Sequence, residues 1–167
     1  SILSIDGGGM KGYIPCAVLV ELERLARKPC SEIFDIVAGT SIGGILACIL
    51  ANGGSATEAL KFFTDDGPRI FSHPQMFGHL GLFRPRYAAA PIEECLKQRL
   101  GDATLADCKK SLLVTAFDLA SYEPYFFKSF KPLGQGQNFP LWKVARATSA
   151  AQTYFPAFVD GDKVFWD

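Results

Sequence analysis

The sequence predicts an α/β fold: a mostly parallel sheet layered by helices. Three observations carry that expectation. Short apolar runs rich in branched residues alternate with stretches of helical periodicity. The runs at residues 33–38 and 111–117 are apolar almost throughout, as strands buried on both faces are. Two glycine-rich turns, at 6–12 and 39–43, each join a strand-like run to a helix-like one.

The elements follow in order. Residues 1–5 form a β-like run that ends in Asp6-Gly7-Gly8-Gly9. From 14 to 27, Ile14, Val18, Leu22 and Leu25 recur at helical spacing, with Glu21, Arg24 and Lys28 on the other side, and Pro29 marks the end. A strand is expected at 33–38. Residues 42–51 are apolar on every side and rich in Ala and Leu, so they read as a buried helix stopped by Asn52-Gly53-Gly54. Helices are expected at 57–64, 91–100 and 141–151, and strands at 111–117 and 125–130. Asp160-Gly161-Asp162 between two short apolar runs, 157–159 and 163–166, signals a hairpin. Residues 68–90 lack clear periodicity and are expected to be a loop or lid.

A chain of 167 residues fits one domain, 1–167. It opens within one β-like run and stops at Asp167 just after another, so an excerpt of a longer chain is expected. Seventeen basic residues balance seventeen acidic ones, and no Lys/Arg run offers a phosphate-backbone footprint, so no nucleic-acid partner is expected. Five cysteines, an odd number with no C-x-x-C, argue against a disulfide framework or a zinc site and suggest a reducing compartment. The longest apolar stretch is too short to span a bilayer. A cytoplasmic or membrane-peripheral location is the expectation.

Gly39-Thr40-Ser41-Ile42-Gly43 fits G-x-S-x-G between a buried strand and a buried helix, the setting a nucleophile elbow requires. The turn throws Ser41 out above the sheet, and Gly39 and Gly43, which crowd each other there, must be small. The helix N-terminus offers a dipole end and free backbone N–H groups, among them that of Ile42. A simple helix cap would use the same residues. Asp6 to Gly12 sits in a second strand-to-helix turn. Consecutive glycines can aim N–H groups at one anion, so Gly7, Gly8 and Gly9 could form an oxyanion hole or a phosphate cradle. Gly7, Gly9 and Gly12 satisfy G-x-G-x-x-G, yet the acidic ribose ligand expected about 20 positions on is absent.

A serine needs a base. The only histidines, His73 and His79, lie in the 68–90 stretch, and none follows them. Among carboxylates, Asp118 ends a strand, Asp160 and Asp162 sit in the hairpin turn, and Asp167 ends the last β-like run.

Asp6 to Gly12, Gly39 to Gly44, Arg146-Ala147-Thr148-Ser149-Ala150-Ala151 and Thr153-Tyr154-Phe155-Pro156 together resemble the patatin-like phospholipase family, in family order and over nearly the whole chain. The resemblance implies a three-layer α/β/α sandwich around a mostly parallel sheet, a Ser–Asp dyad without histidine, an oxyanion hole from the glycine loop, and hydrolysis of acyl esters in phospholipids or glycolipids. No metal or other cofactor is implied. Ser41 is the implied nucleophile. Asp167 is the best match for the aspartate, and Asp160, followed by Gly161, is its rival. The family's proline after the paired alanines is Gln152 here. Finally, residues 70–87 hold Ile70, Phe71, Met76, Phe77, Leu80, Leu82, Phe83 and Tyr87 among Arg84 and Arg86, just after Arg69 and with no acidic residue. That composition suits transient contact with an anionic membrane surface.

Overall fold

Three parallel strands form the centre of the sheet in the computed structural model, which describes residues 1–72, 74, 85–131 and 137–167. They are β1 (Ile2–Ile5), β2 (Ile36–Thr40) and β3 (Ser111–Asp118), in that spatial order. Ile5 lies opposite Gly39, and Thr40 opposite Thr115. Three antiparallel strands complete the sheet. β4 (Glu123–Lys128) pairs with β3 along residues 113–118. β5 (Phe158–Asp160) and β6 (Lys163–Trp166) form the expected hairpin, with Gly161 at φ 64° in its turn. β6 then returns to β3, where Phe117 faces Trp166 and Asp118 faces Phe165. The α/β class and the parallel centre agree with the sequence, and the parallel part is β1 to β3.

One detail of this topology positions the site. Phe117 and Asp118 already pair with Pro124 and Glu123 of β4. β6 must therefore take the other edge of β3, which β2 occupies as far as Thr115. β2 and β6 thus run toward each other along one edge. The residue after Thr40 and the residue after Trp166 both come level with Ala116.

The helices are α1 (Tyr13–Ala26), α2 (Cys30–Ile33), α3 (Ile42–Ala51), α4 (Ala56–Lys61), α5 (Gly67–Phe71), α6 (Ala89–Leu100) and α7 (Leu141–Thr148). All ten residues of α3 are buried, so a helix without a polar face is what this central position demands. It packs on β2, β3 and α7. α4 opens on a complete capping box, Ser55 with Glu58, and continues into a π turn, Phe62–Asp66, which periodicity did not announce.

Three expectations need correction. The strand expected at 33–38 starts later, at Ile36, because 30–33 forms α2. Of the apolar stripe of α1, Leu22 packs against the core, but the rest does not face it. Ile14, Val18 and Leu25 are each more than 60% exposed, whereas Cys16 and Leu19 are buried. The 68–90 stretch is also partly regular, since α5 and α6 reach into it from both ends. Ile70 and Tyr87 are buried and Phe71 packs on the core, with the Phe71 and Tyr87 rings edge to face at 5.1 Å. Arg69 pairs with Glu94. Met76, Phe77, Leu80, Leu82, Phe83 and Arg84, with His73 and His79, lie outside the described residues. Among the described residues no helix is long and apolar enough to cross a membrane.

Candidate active site

Ser41 occupies the turn between β2 and α3 with φ 56° and ψ −129°, a conformation that residues bearing a Cβ rarely adopt. Crowding explains why the flanking residues are glycines. A Cβ on Gly39 would lie 2.2 Å from the carbonyl oxygen of Gly43, and one on Gly43 would lie 2.1 Å from that of Ile5. β1, β2 and α3 therefore converge backbone to backbone beneath the serine. Ser41 carries the start of α3: its carbonyl accepts from the N–H groups of Gly44 and Ile45 at 2.9 and 3.1 Å. Ile42 is the first helical residue, and N–H groups there have no partner within the helix. Ser41 thus sits at a strand–turn–helix junction, the setting expected of G-x-S-x-G.

The Ser41 hydroxyl donates a hydrogen bond to the Asp167 carboxylate. The head-to-head arrangement of β2 and β6 accounts for a contact across 126 residues. The Asp167 N–H is in turn held by the Ala150 carbonyl at 3.2 Å, just past the end of α7. Burial pushes the Asp167 carboxyl above its ordinary range, and the bond from Ser41 opposes that rise in part.

Two of the other carboxylates weighed from sequence, Asp118 and Asp160, have partners elsewhere. Asp118 is buried and accepts from the N–H groups of Ala120 and Val164, the Ser121 hydroxyl and Lys163. Burial alone would raise its carboxyl, but these donors together hold it below the ordinary value. It closes the ends of β3 and β6. Asp160 pairs with Lys143 at 2.6 Å. Thiolates offer no competitor to the serine, because burial pushes the Cys16 and Cys30 thiols up to about 12.

The glycine loop lies beside the elbow. A Cβ on Gly7 would sit 3.0 Å from the Cβ of Ser41, so this backbone passes directly against the serine. Gly8 and Gly9 take φ 154° and 57°, and a 3₁₀ turn, Gly9–Gly12, leads into α1. Gly8, Gly9, Ser41, Ile42 and Asp167 line one cavity of about 620 Å³. Its other walls are mostly apolar: Met10, Ile45, Phe62, Phe71, Tyr87, Ile92, Tyr154 and Phe155. The size suits a ligand pocket, and the wall chemistry suits a hydrocarbon chain with its polar end at Ser41.

Two residues of this region were quoted from sequence without a role. The Thr148 hydroxyl accepts the Ser41 N–H at 2.8 Å, and Thr148 is fully buried. Arg146, also buried, meets Glu93 at 3.2 Å and the Pro156 carbonyl at 2.8 Å, between the rings of Phe155 and Phe158. It ties α7 to α6 and to the segment that forms the cavity wall. A charged residue inside a helix otherwise flanked by Val144, Ala145 and Ala147 was the available signal for it.

Comparison with known proteins follows this geometry. The family model for patatin-like phospholipase matches residues 3–167. The cGAMP-activated phospholipase of Escherichia coli (strain TW11681) is 38% identical over 92% of this chain and 47% of that protein. A protein of Arabidopsis thaliana named probable inactive patatin-like protein 9 is also 38% identical, over 96% of this chain and 47% of its own length. Among solved structures, VipD from Legionella pneumophila superposes with a TM-score of 0.64 at 13% identity, covering 99% of this chain and 45% of that one, and shares the fold. The chain spans just under half the length of the curated relatives it matches. On the family match and these identities, the chain belongs to the patatin-like phospholipase family.

Proposed function

We propose that the protein is a lipid acyl hydrolase of the phospholipase A type, with Ser41 as nucleophile and Asp167 as base. The observation that carries this reading is the Ser41 hydroxyl bonded to Asp167 on the wall of a largely apolar cavity. Asp167 takes the hydroxyl proton as Ser41 Oγ attacks the ester carbonyl carbon. The carbonyl electron pair moves onto oxygen, and the oxyanion is held by N–H groups of Gly7, Gly8, Gly9 and Ile42. Collapse expels the alcohol, a lysolipid, which takes the proton from Asp167. Water then gives a proton to Asp167 and attacks the acyl-enzyme, and collapse releases the fatty acid as Ser41 Oγ takes that proton back from Asp167. Burial favours this chemistry, since a carboxylate with a raised pKa is a stronger base. The same nucleophile serves an acyltransferase or thioesterase if an alcohol replaces water or a thioester replaces the ester.

Phospholipid or glycolipid substrates reach such a site from a membrane surface. Met10 and Tyr154, on the cavity wall and each about half exposed, are the described residues best placed for that transient contact. A second reading, lipid binding without turnover, draws on the relative named probable inactive.

Fluorophosphonate treatment followed by intact-mass measurement tests the proposal. The wild type gains one covalent adduct and Ser41→Ala gains none. Phospholipid hydrolysis falls on the order of 10⁶-fold in Ser41→Ala, while its melting temperature is kept. An adduct on Ser41→Ala, or an unlabelled and inactive wild type, overturns the hydrolase reading. Product analysis with an added alcohol separates transfer from hydrolysis.

A further inference from the structure

The end of α7 and the turn after it touch both members of the proposed dyad, through two different hydrogen bonds. The Thr148 hydroxyl accepts the Ser41 N–H at 2.8 Å, and two residues later the Ala150 carbonyl accepts the Asp167 N–H at 3.2 Å. Ser41 and Asp167 come from strand ends separated by 126 residues, and neither strand pairs with the other. Beyond their own contact and the shared edge of β3, this short segment bonds to both.

The Thr148 side chain is built into the elbow. It is fully buried, and a Cβ on Gly44 would lie 2.6 Å from its methyl carbon and 3.0 Å from its hydroxyl oxygen. It therefore fills the space over the first turn of α3, with the hydroxyl toward the peptide of Ser41. That peptide needs a partner. The Ser41 N–H belongs to a residue with φ 56°, a strained conformation that persists only where the surroundings over-determine it. A buried N–H without an acceptor would add a cost of its own. Thr148 is itself held from behind, because Arg146 is anchored by Glu93 and Pro156, and the Ser149 hydroxyl donates to the Arg146 carbonyl at 3.2 Å.

We infer that Thr148 is a positioning residue: its hydroxyl fixes the Ser41 peptide, and with it the direction of the Ser41 hydroxyl toward Asp167. The inference rests on the proposed dyad. Thr148 is not among the residues lining the cavity, whereas Ser149 and Ala151 are. It therefore affects turnover and not substrate affinity.

The test compares Thr148→Val, Thr148→Ser and Ser41→Ala by steady-state hydrolysis of a short soluble ester, by fluorophosphonate inactivation rate and by thermal melting. Valine keeps the shape and removes the acceptor. It should lower kcat and the inactivation rate on the order of 10²-fold, the penalty for a nucleophile displaced by about 1 Å, with KM unchanged. Serine keeps the acceptor and drops only the methyl. It should hold kcat within about threefold of wild type even if its melting temperature falls. Wild-type kcat in a folded Thr148→Val overturns the inference, as does a Thr148→Ser variant that is folded yet as slow as valine is expected to be. If Thr148→Val does not fold, the serine variant alone decides. Activity in Ser41→Ala would instead sink the dyad, so the two failures are distinguishable.

Discussion

The two strand-to-helix turns at the carboxyl edge of the sheet, Asp6 to Gly12 and Gly39 to Gly43, use glycine for opposite reasons. In the elbow the space is full: Cβ atoms on Gly39 and Gly43 would meet backbone atoms at 2.2 and 2.1 Å. In the glycine loop Gly7 and Gly12 are crowded too, but the middle is open: a Cβ on Gly9 would meet nothing within 4 Å, and only its φ of 57° disfavours a side chain. One turn is tightly packed scaffold and the other is shaped backbone facing a cavity. A glycine motif therefore says little until it is known whether packing or conformation requires the glycine.

The sharpest way to break this comparison is to add one methyl group to each turn. In Gly43→Ala the clash is with the Ile5 carbonyl, which no rotamer change can move. The expected outcome is loss of folded protein, or a destabilisation above about 4 kcal/mol, seen in thermal melts. A well-folded Gly43→Ala protein would show that the elbow is looser than its packing indicates. Gly9→Ala should keep the fold, losing about 1–2 kcal/mol for the left-handed backbone. Its kcat should fall on the order of 10²-fold, as expected when one oxyanion donor is misaligned. If Gly9→Ala instead loses stability and keeps its rate, the loop is a structural turn and the oxyanion assignment fails.

The same contrast separates what the sequence disclosed from what it withheld. Both turns were legible because their signals are local: glycines at fixed spacing between apolar runs. So was α3, whose lack of a polar face matches its buried place. Asp167 was different. Sequence alone left Asp118, Asp160 and Asp167 open, and only the family resemblance favoured the last. What separates them is the edge of β3 that β6 selects, which is long-range pairing and not a property of either segment. The stripe Ile14, Val18 and Leu25 failed for a related reason. Periodicity identifies residues that share a face, yet tertiary packing determines which face is covered, and here Cys16 and Leu19 are the buried ones. Thr148 was quoted within a motif, but its partner lies 107 residues away and carries no side-chain signature, because the bond is to a backbone N–H.

A smaller effect sharpens the account of Asp167. As the proposed base it must be ionised, and burial raises its pKa. Hydrolysis should therefore rise with pH along a limb that lies above the ordinary carboxylate range, measured as kcat/KM on a short soluble ester. A limb at the ordinary carboxylate position would mean that water reaches Asp167 far more freely than its burial indicates. A limb that disappears in the double variant His73→Ala, His79→Ala would assign the titration to histidine.

The smallest expected effect concerns stability, and its sign is unusual for a carboxylate. The folded state holds the Asp167 proton more tightly than the unfolded chain does. Between the ordinary carboxylate pKa and the raised one, the folded state binds more protons, so stability falls as pH rises through that window. Above the window the full penalty of a buried charge is present, and below it the penalty vanishes. Asp167→Asn removes the ionisation and keeps an oxygen that can accept from Ser41. At neutral pH it should melt above the wild type, by about 2–4 °C for each kcal/mol relieved in a chain of this size. The gap should close once the pH drops below the ordinary carboxylate range. An inactive Asp167→Asn that is also more stable would mark Asp167 as a charge retained for chemistry at the expense of the fold. Equal or lower melting temperatures at every pH would instead mean that the carboxylate is adequately solvated where it stands.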